Sequence, residues 1–340
     1  MAELSIVEAI NDCFQVELER DPSVLVMGED VGRAGGVFRA TAGLRERFGP
    51  DRCFDTPLAE AGILGTAVGL CMAGWRPVCE MQYDAFSYPC LDQLITHVGR
   101  YRWRTGGKME FPIVVRMPYG GGVRAPELHD DSPETYYVHT PGVKVAIPAT
   151  PADAKGLLAA AIRDPDPVVF FEHKSLFANK GEVPEGEHVE PLGKAKVLRE
   201  GGDATIVALA AMVPRALKAA EMLAADHGIQ ASVIDVRSLV PLDARTLLRE
   251  ASRTGRVFTV EENPRLCGWG AEIASLVQEE VFGALKGPVI RITTPHVPLP
   301  AADQLEDAVV PSAARIASEV KSALESRRAP MSRTETQKWT

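Results

Sequence analysis

The sequence predicts an α/β fold of two three-layer domains, each built on a mostly parallel sheet. Three observations lead there. Brief runs such as "VLVMGED", "PVCEMQY", "PIVVRMP" and "PVVFFEH" are apolar at nearly every position, as strands covered on both faces must be. Segments with apolar residues at helical spacing alternate with these runs, and such alternation favours a parallel sheet. A polar stretch rich in glycine and proline, near residues 179–202, separates two alternating sets. The 340 residues suffice for two domains with substantial cores.

Taken in order, Ile6, Val7, Ile10, Phe14 and Leu18 recur at helical spacing, so the chain opens with a helix. The strand "VLVMGED" ends in a glycine and two acids. Between the strands "VLVMGED", "PVCEMQY" and "PIVVRMP" helices are expected over Ala61–Ala73 and roughly Cys90–Trp103. "VKVAIPATPADAKGLLAAAIRD" reads as a strand, a proline turn and a helix from about Ala152; "PVVFFEH" closes a first domain of residues 1–178. Residues 179–202 are taken as a linker able to carry an edge strand. A second domain, residues 203–325, repeats the alternation. Its strands are "ATIVALA", "ASVIDVRSL", "RVFTVEE" and "PVIRIT"; its helices lie at Pro214–Asp226, "LLREASRTG" and near Ala271–Phe282. The polar tail 326–340 is expected to fray.

Composition excludes several function classes. Net charge is -9, which disfavours nonspecific nucleic-acid binding, because phosphate backbones reward basic surfaces. The start "MAELSIVEAINDCF" mixes acids with apolar residues, unlike a secretory signal. The uncharged run 61–74 is too short to span a bilayer. Six cysteines lack C-x-x-C spacing and read as reduced thiols of a cytosolic protein. Seven histidines show no zinc-ligand spacing, and no G-x-x-x-x-G-K-[ST] phosphate loop exists. "GGGVRA" at 120–125 fits G-x-G-x-x-A, but Pro126 and "ELHDD" follow where a dinucleotide fingerprint needs a helix.

The stretch "FDTPLAEAGILGTAVGLCMAGWRP" places Glu60 before fourteen uncharged residues, Ala61 to Gly74. A structural role is open: Thr56 as cap, Pro57 in the first turn, and an acid suited to the helix dipole. The functional alternative is a carboxyl group walled in by Ile63, Leu64 and Val68. Lost solvation would raise its pKa and favour sharing a proton with a bound base. Gly62, Gly65 and Gly69 would let a flat ligand or another backbone approach.

These segments carry a resemblance. "MGEDVG", "RCFDTPLAEAGILGTAVGL", "VVRMPYGGGVRAPELHDDSPE", "HTPGVKVAIPATPADAKGLL", "VIDVRSLVPLD" and "GWGAEIASLVQEEVF" together resemble the beta chain of the thiamin-diphosphate component of 2-oxo acid dehydrogenase complexes. The likeness runs from about residue 4 to 320. It implies a thiamin pyrimidine-binding domain followed by a transketolase-C-terminal-like domain. It further implies oxidative decarboxylation of a 2-oxo acid and passage of the acyl group to a lipoyl arm, with the cofactor as electron sink.

The resemblance assigns Glu60 to a hydrogen bond with the cofactor's aminopyrimidine ring, whose tautomer then activates the thiazolium carbon. Phe86 matches the aromatic that stacks on the pyrimidine; a core phenylalanine is the plainer alternative. Glu29, Met81 and Tyr83 are further cofactor-pocket candidates, with Glu29 alternatively a turn residue. His129 matches a histidine that relatives carry as His-Ser-Gln, but here Asp130 and Asp131 follow it. Two neighbouring acids would raise its pKa and favour the cation, apt as a catalytic group for holding a carboxylate or donating a proton; a surface histidine in an acidic loop is the alternative. "AAIRDPDP" matches a turn that binds structural potassium in relatives: Asp164 by side chain, Ala161 and Ile113 by backbone carbonyls. A helix-end turn shaped by proline is the alternative.

The diphosphate-binding G-D-G…N pattern of thiamin enzymes is absent; "GGDAT" at 201–205 lacks its downstream partner. The resemblance therefore implies a separate alpha subunit that holds Mg2+ and the diphosphate, in an alpha2-beta2 heterotetramer. Residues 61–74 would also pack against that partner, and a lipoyl acyltransferase would dock on the C-terminal domain. "GRYRWRTGG" (99–107) and "FFEHK" (170–174) lean towards branched-chain over pyruvate versions. Ketol transfer, or a nonenzymatic assembly role, are the remaining alternatives.

Overall fold

The computed structural model describes residues 1–125 and 127–325. By its contacts the chain divides into two units: residues 1–123, 128–192 and 238–241, and the remainder. The tail expected to fray, 326–340, and Pro126 lie outside the described residues.

The first unit holds a seven-stranded sheet. Its order is Ser238–Val240, Lys144–Ala146, Val168–His173, Val114–Tyr119, Arg76–Glu80, Val24–Gly28, Cys53–Asp55. Every neighbouring pair is parallel except the first. Val24–Gly28, Val114–Tyr119 and Val168–His173 are buried throughout, which is why their sequences are apolar without alternation. Helix Ile6–Arg20 starts with a capping box of Ser5 and Glu8 and packs against helix Pro151–Arg163. The latter is capped by Thr150, with Pro151 in its first turn.

Two expectations need correction, for the helix after Cys90 and the strand "ASVIDVRSL", and the segment 179–202 gains detail. The helix expected over Cys90–Trp103 is broken into 3-10 turns at Ala85–Cys90 and Val98–Arg100 and helical turns at Leu91–Thr96 and Tyr101–Arg104. Pro89 sits inside the first turn. At Gly99 an added Cβ would stand 2.9 Å from the Pro141 carbonyl, so the chain there is shaped by a close backbone approach. The segment taken as a linker is ordered at both ends: Lys180–Val183 pairs antiparallel with Ala2–Ser5, and Lys196–Arg199 is an antiparallel edge strand of the second sheet. "ASVIDVRSL" is two strands. Ala231–Asp235 lies in the second sheet, Arg237 takes a positive φ of 61°, and Ser238–Val240 joins the first sheet.

The second unit is a five-stranded sheet ordered Ile290–Thr294, Val257–Pro264, Ala204–Ala208, Ala231–Asp235, Lys196–Arg199. Helices Met212–His227, Ala244–Thr254, Trp269–Val281 and Ala313–Glu325 belong to it. Buried Glu261 organises one corner: it accepts from Arg291 at 2.9 and 2.8 Å, from the Thr259 hydroxyl at 2.8 Å and from the Gly270 N–H at 3.0 Å. All six cysteines are free thiols; five are buried and Cys267 is exposed. No described helix is long and apolar enough to cross a membrane. After "GGGVRA" no helix begins before Glu134, so the dinucleotide pattern is coincidental among the described residues.

Candidate active site

In a parallel sheet all strands end on one edge, and the residues just beyond those ends converge. Here that edge gathers Glu29 after Val24–Gly28, Thr56 after Cys53–Asp55, Met81 to Phe86 after Arg76–Glu80, and Lys174 after Val168–His173.

Glu29 is a shielded acid at this edge. It is 6% exposed, and its Oε1 is buried without a hydrogen-bond partner. Burial, then the Glu60 and Asp30 carboxylates, push its carboxyl above the usual range. A buried carboxyl oxygen with no donor is costly unless a ligand supplies one.

Glu60 is the first residue of helix Glu60–Met72, which has Ala59 as an unassisted N-cap. The expected Thr56 cap is not formed: the Thr56 N–H donates to the Gly28 carbonyl at 2.9 Å, prolonging the sheet, and its hydroxyl is buried without a partner. Ile63 and Leu64 are buried, yet Glu60 and Val68 are half-buried, so this chain alone shields Glu60 only in part. The three helix glycines meet little of their own chain. A Cβ would lie 3.5 Å from Ala59 at Gly62, 3.6 Å from Gln93 at Gly65, and beyond 4 Å of anything at Gly69. With Leu58, 80% exposed, they leave one face of the helix small and open.

Aromatic rings wall the same mouth. Tyr83 meets Phe86 edge-on at 5.4 Å and His129 at 4.5 Å, while Phe86 meets His129 at 4.9 Å. Phe38 extends the cluster, 5.6 Å from Tyr83. Tyr83, Phe86 and His129 are half-buried and so reachable. Met81 is buried, with its N–H bonded to the Arg116 carbonyl at 3.0 Å, and forms part of the floor.

Several residues here escaped the sequence reading. Lys174, fully buried, donates to the His129 carbonyl and to Asp84 Oδ1 at 3.1 Å, and lies 3.6 Å from Asp130. Asp84 Oδ2 accepts the Asp131 N–H at 2.8 Å, and Asp131 accepts the Tyr88 hydroxyl at 3.0 Å. Burial pushes Asp84 up to about 6; Lys174 opposes this and Asp131 adds to it. Beneath lies a buried triad: Arg116 donates through Nε to Glu172 at 2.6 Å and also bonds Glu80, across three adjacent strands. The signal was a charge set inside each apolar run, in "PVCEMQY", "PIVVRMP" and "PVVFFEH", with Lys174 following the last.

The expected potassium turn is held by other cations. Asp164 pairs with Lys144 at 2.7 and 2.8 Å, and Arg76 donates to the Ile162 and Asp164 carbonyls at 3.1 and 3.4 Å. The Ala161 carbonyl accepts the Asp164 N–H at 3.3 Å and the Ile113 carbonyl the Val168 N–H at 2.9 Å. These residues fit a salt-bridged turn better than an open oxygen cage. Among the described residues no group of three or more His, Cys, Asp or Glu could hold a metal ion.

Residues 2–180 match the family described as "Transketolase, pyrimidine binding domain", and residues 193–316 match "Transketolase, C-terminal domain". The "Pyruvate dehydrogenase E1 component subunit beta" of Bacillus subtilis is 48% identical over 88% of this chain and 92% of its own length. The "3-methyl-2-oxobutanoate dehydrogenase subunit beta" of Mycobacterium tuberculosis is 46% identical over 90% and 91%. A solved structure titled "Split gene transketolase, inactive beta4 tetramer" superposes with a TM-score of 0.78 at 25% identity, covering 96% of this chain and 99% of that one.

Proposed function

We infer the function from a shared ancestry: the chain belongs to the beta subunits of thiamin-diphosphate 2-oxo acid dehydrogenases, built from transketolase-type pyrimidine-binding and C-terminal domains. The proposed activity is oxidative decarboxylation of a 2-oxo acid, with acyl transfer to a lipoyl group, in an assembly with an alpha subunit. The observation that carries this reading is Glu29: a buried carboxyl with a partnerless oxygen, close enough to Glu60 to feel its charge, at the mouth of a parallel sheet.

The residues fit a flat, nitrogen-rich ring. Glu29 and Glu60 offer two carboxyl groups able to accept or share a proton from ring nitrogens. Phe86 and Tyr83 supply aromatic faces and edges to hold it, and His129 closes the wall. When bound, thiamin diphosphate would supply the nucleophilic carbon and the electron sink. Glu60 would hold the proton that sets the ring's tautomer, and packing of an alpha subunit over the small face of Glu60–Met72 would complete its exclusion of water. The alpha subunit would also hold Mg2+ and the diphosphate. Docking of the lipoyl acyltransferase on the C-terminal domain and a cytoplasmic setting are parts of the same proposal.

For the substrate we favour branched-chain 2-oxo acids, on the "GRYRWRTGG" and "FFEHK" segments. The 48% identity with a pyruvate dehydrogenase beta subunit supports pyruvate as the second reading. The test is co-production with the cognate alpha chain and measurement of carbon dioxide release from 3-methyl-2-oxobutanoate and from pyruvate, with and without thiamin diphosphate and Mg2+. Faster release from the branched acid is expected. Glu60→Gln should assemble normally and lose turnover; undiminished decarboxylation by that variant would remove the assigned role.

A further inference from the structure

The loop that carries His129 has no regular secondary structure: residues 127–133 lie between "GGGVRA" and helix Glu134–Val138. A loop side chain is placed only as well as its backbone is held. Here one buried cation holds it. The Lys174 ammonium donates to the His129 carbonyl itself, stands 3.6 Å from Asp130, and is tied to Asp84 at 3.1 Å. Asp84 in turn grips the loop one residue further on, accepting the Asp131 N–H at 2.8 Å, and Tyr88 donates to the Asp131 carboxylate at 3.0 Å. Lys174 also lies 5.5 Å from the centre of the Tyr83 ring, against which the His129 imidazole packs.

Lys174 and Asp84 are each rooted in rigid elements. Lys174 follows the buried strand Val168–His173, and Asp84 precedes the turn Ala85–Cys90 that carries Phe86. Taking an ammonium wholly out of water is expensive unless its partners are well placed. Its partners lie on the loop and on the segment bearing the aromatic wall. Asp130 and Asp131, which depart from the His-Ser-Gln pattern, thereby gain a structural use as the two anchors of the loop.

We propose that Lys174, braced by Asp84, is a positioning residue that fixes the 128–131 loop and so holds the His129 imidazole against Tyr83 and Phe86. The proposal rests on the reading of this mouth as a decarboxylase site, and assigns the buried salt bridge a role in that site's geometry.

The experiment is a double-mutant cycle in the assembled alpha–beta enzyme with thiamin diphosphate and Mg2+. Lys174→Met should lower kcat by on the order of 100-fold, the scale expected for a displaced reacting group. Lys174→Arg, which keeps the charge, should recover part of it. In a His129→Ala background, adding Lys174→Met should cost little more, because its effect is exerted through that imidazole. Independent of turnover, hydrogen exchange of the beta chain should rise over residues 127–132 in Lys174→Met and stay unchanged in the strand Val24–Gly28. If Lys174→Met does not fold, the paired variant Lys174→Met with Asp84→Asn removes both buried charges and is read in the same way. Additive losses in the cycle, or unaltered exchange over 127–132, would overturn the proposal. Full activity of His129→Ala would overturn it too, while leaving the decarboxylase reading to stand or fall with Glu60→Gln.

Discussion

The Lys144 ammonium donates to both carboxylate oxygens of Asp164, at 2.7 and 2.8 Å, and lies 3.1 Å from Asp166. Burial works against its charge, but the hydrogen bonds to Asp164 and Asp166 outweigh that and hold its pKa above the ordinary lysine value. Arg102 donates to Asp166 at 2.6 Å. A positive charge thus already occupies the turn where a potassium ion would sit. Replacing potassium by sodium at fixed ionic strength is expected to leave the thermal midpoint of the wild-type chain unchanged. Lys144→Ala should cost about 1 kcal/mol, the scale of a partly exposed pair, and should regain stability in KCl. A potassium-specific rise in the wild type would show instead that the ion displaces Lys144.

Removing the guanidinium from the buried triad should be far more damaging. Arg116→Met leaves Glu80 and Glu172 uncompensated and out of water, a change expected to cost about 3–5 kcal/mol. Neutralising the whole triad, with Glu80→Gln and Glu172→Gln added, should recover much of that loss. Urea denaturation of the three proteins measures both effects; equal stability of the single and triple variants would contradict the account.

Asp84 gives stability a pH dependence. Its folded pKa, about 6, lies above the unfolded aspartate value. The folded state therefore holds that proton more tightly. The resulting stabilisation is full below the unfolded pKa and is lost as pH rises through about 6. Between pH 4 and 7 the wild type is expected to lose about 2 kcal/mol relative to Asp84→Asn. Denaturation midpoints of the two proteins across that range give the difference directly. A gap that does not vary with pH would mean that Asp84 is ionised throughout.

In the second unit, Gly270→Ala would put a Cβ 2.1 Å from Glu261 Oε1 and 2.5 Å from the Thr259 hydroxyl. Both are held in place, Glu261 by Arg291, so the helix Trp269–Val281 has to shift. A loss of about 1–3 kcal/mol is expected, as for other overpacked interiors. The neighbouring change Ala271→Gly, outside that contact, serves as control in the same thermal melts.

Much of the fold was legible because parallel strands announce themselves: "VLVMG", "VVRMPY" and "VVFFEH" are apolar at consecutive positions since both faces are covered. What was hidden depended on contacts distant in sequence. Nothing local says that Ser238–Val240 leaves its neighbours to pair with Lys144–Ala146, or that Pro141 approaches Gly99 and breaks a helix. The site divides in the same way. Phe86, Tyr83 and His129, singled out in separate motifs, come into mutual ring contact. The dryness expected of Glu60 falls on Glu29, because a strand end is enclosed by the sheet whereas a first helical residue keeps one side open. Lys174 was passed over because one charge after "VVFFEH" looks like any strand terminus until the segments from 84 and 130 are folded onto it.

The cysteines have a practical consequence. Burial drives the thiols of Cys13, Cys53, Cys71, Cys79 and Cys90 upward in pKa, so that each is both hidden and protonated at neutral pH. Cys267 alone faces solvent. A maleimide dye or spin label added to the folded wild-type chain should therefore attach at one place, in the loop before Trp269–Val281. Fluorescence or distance spectroscopy from that handle could follow assembly without any engineered residue.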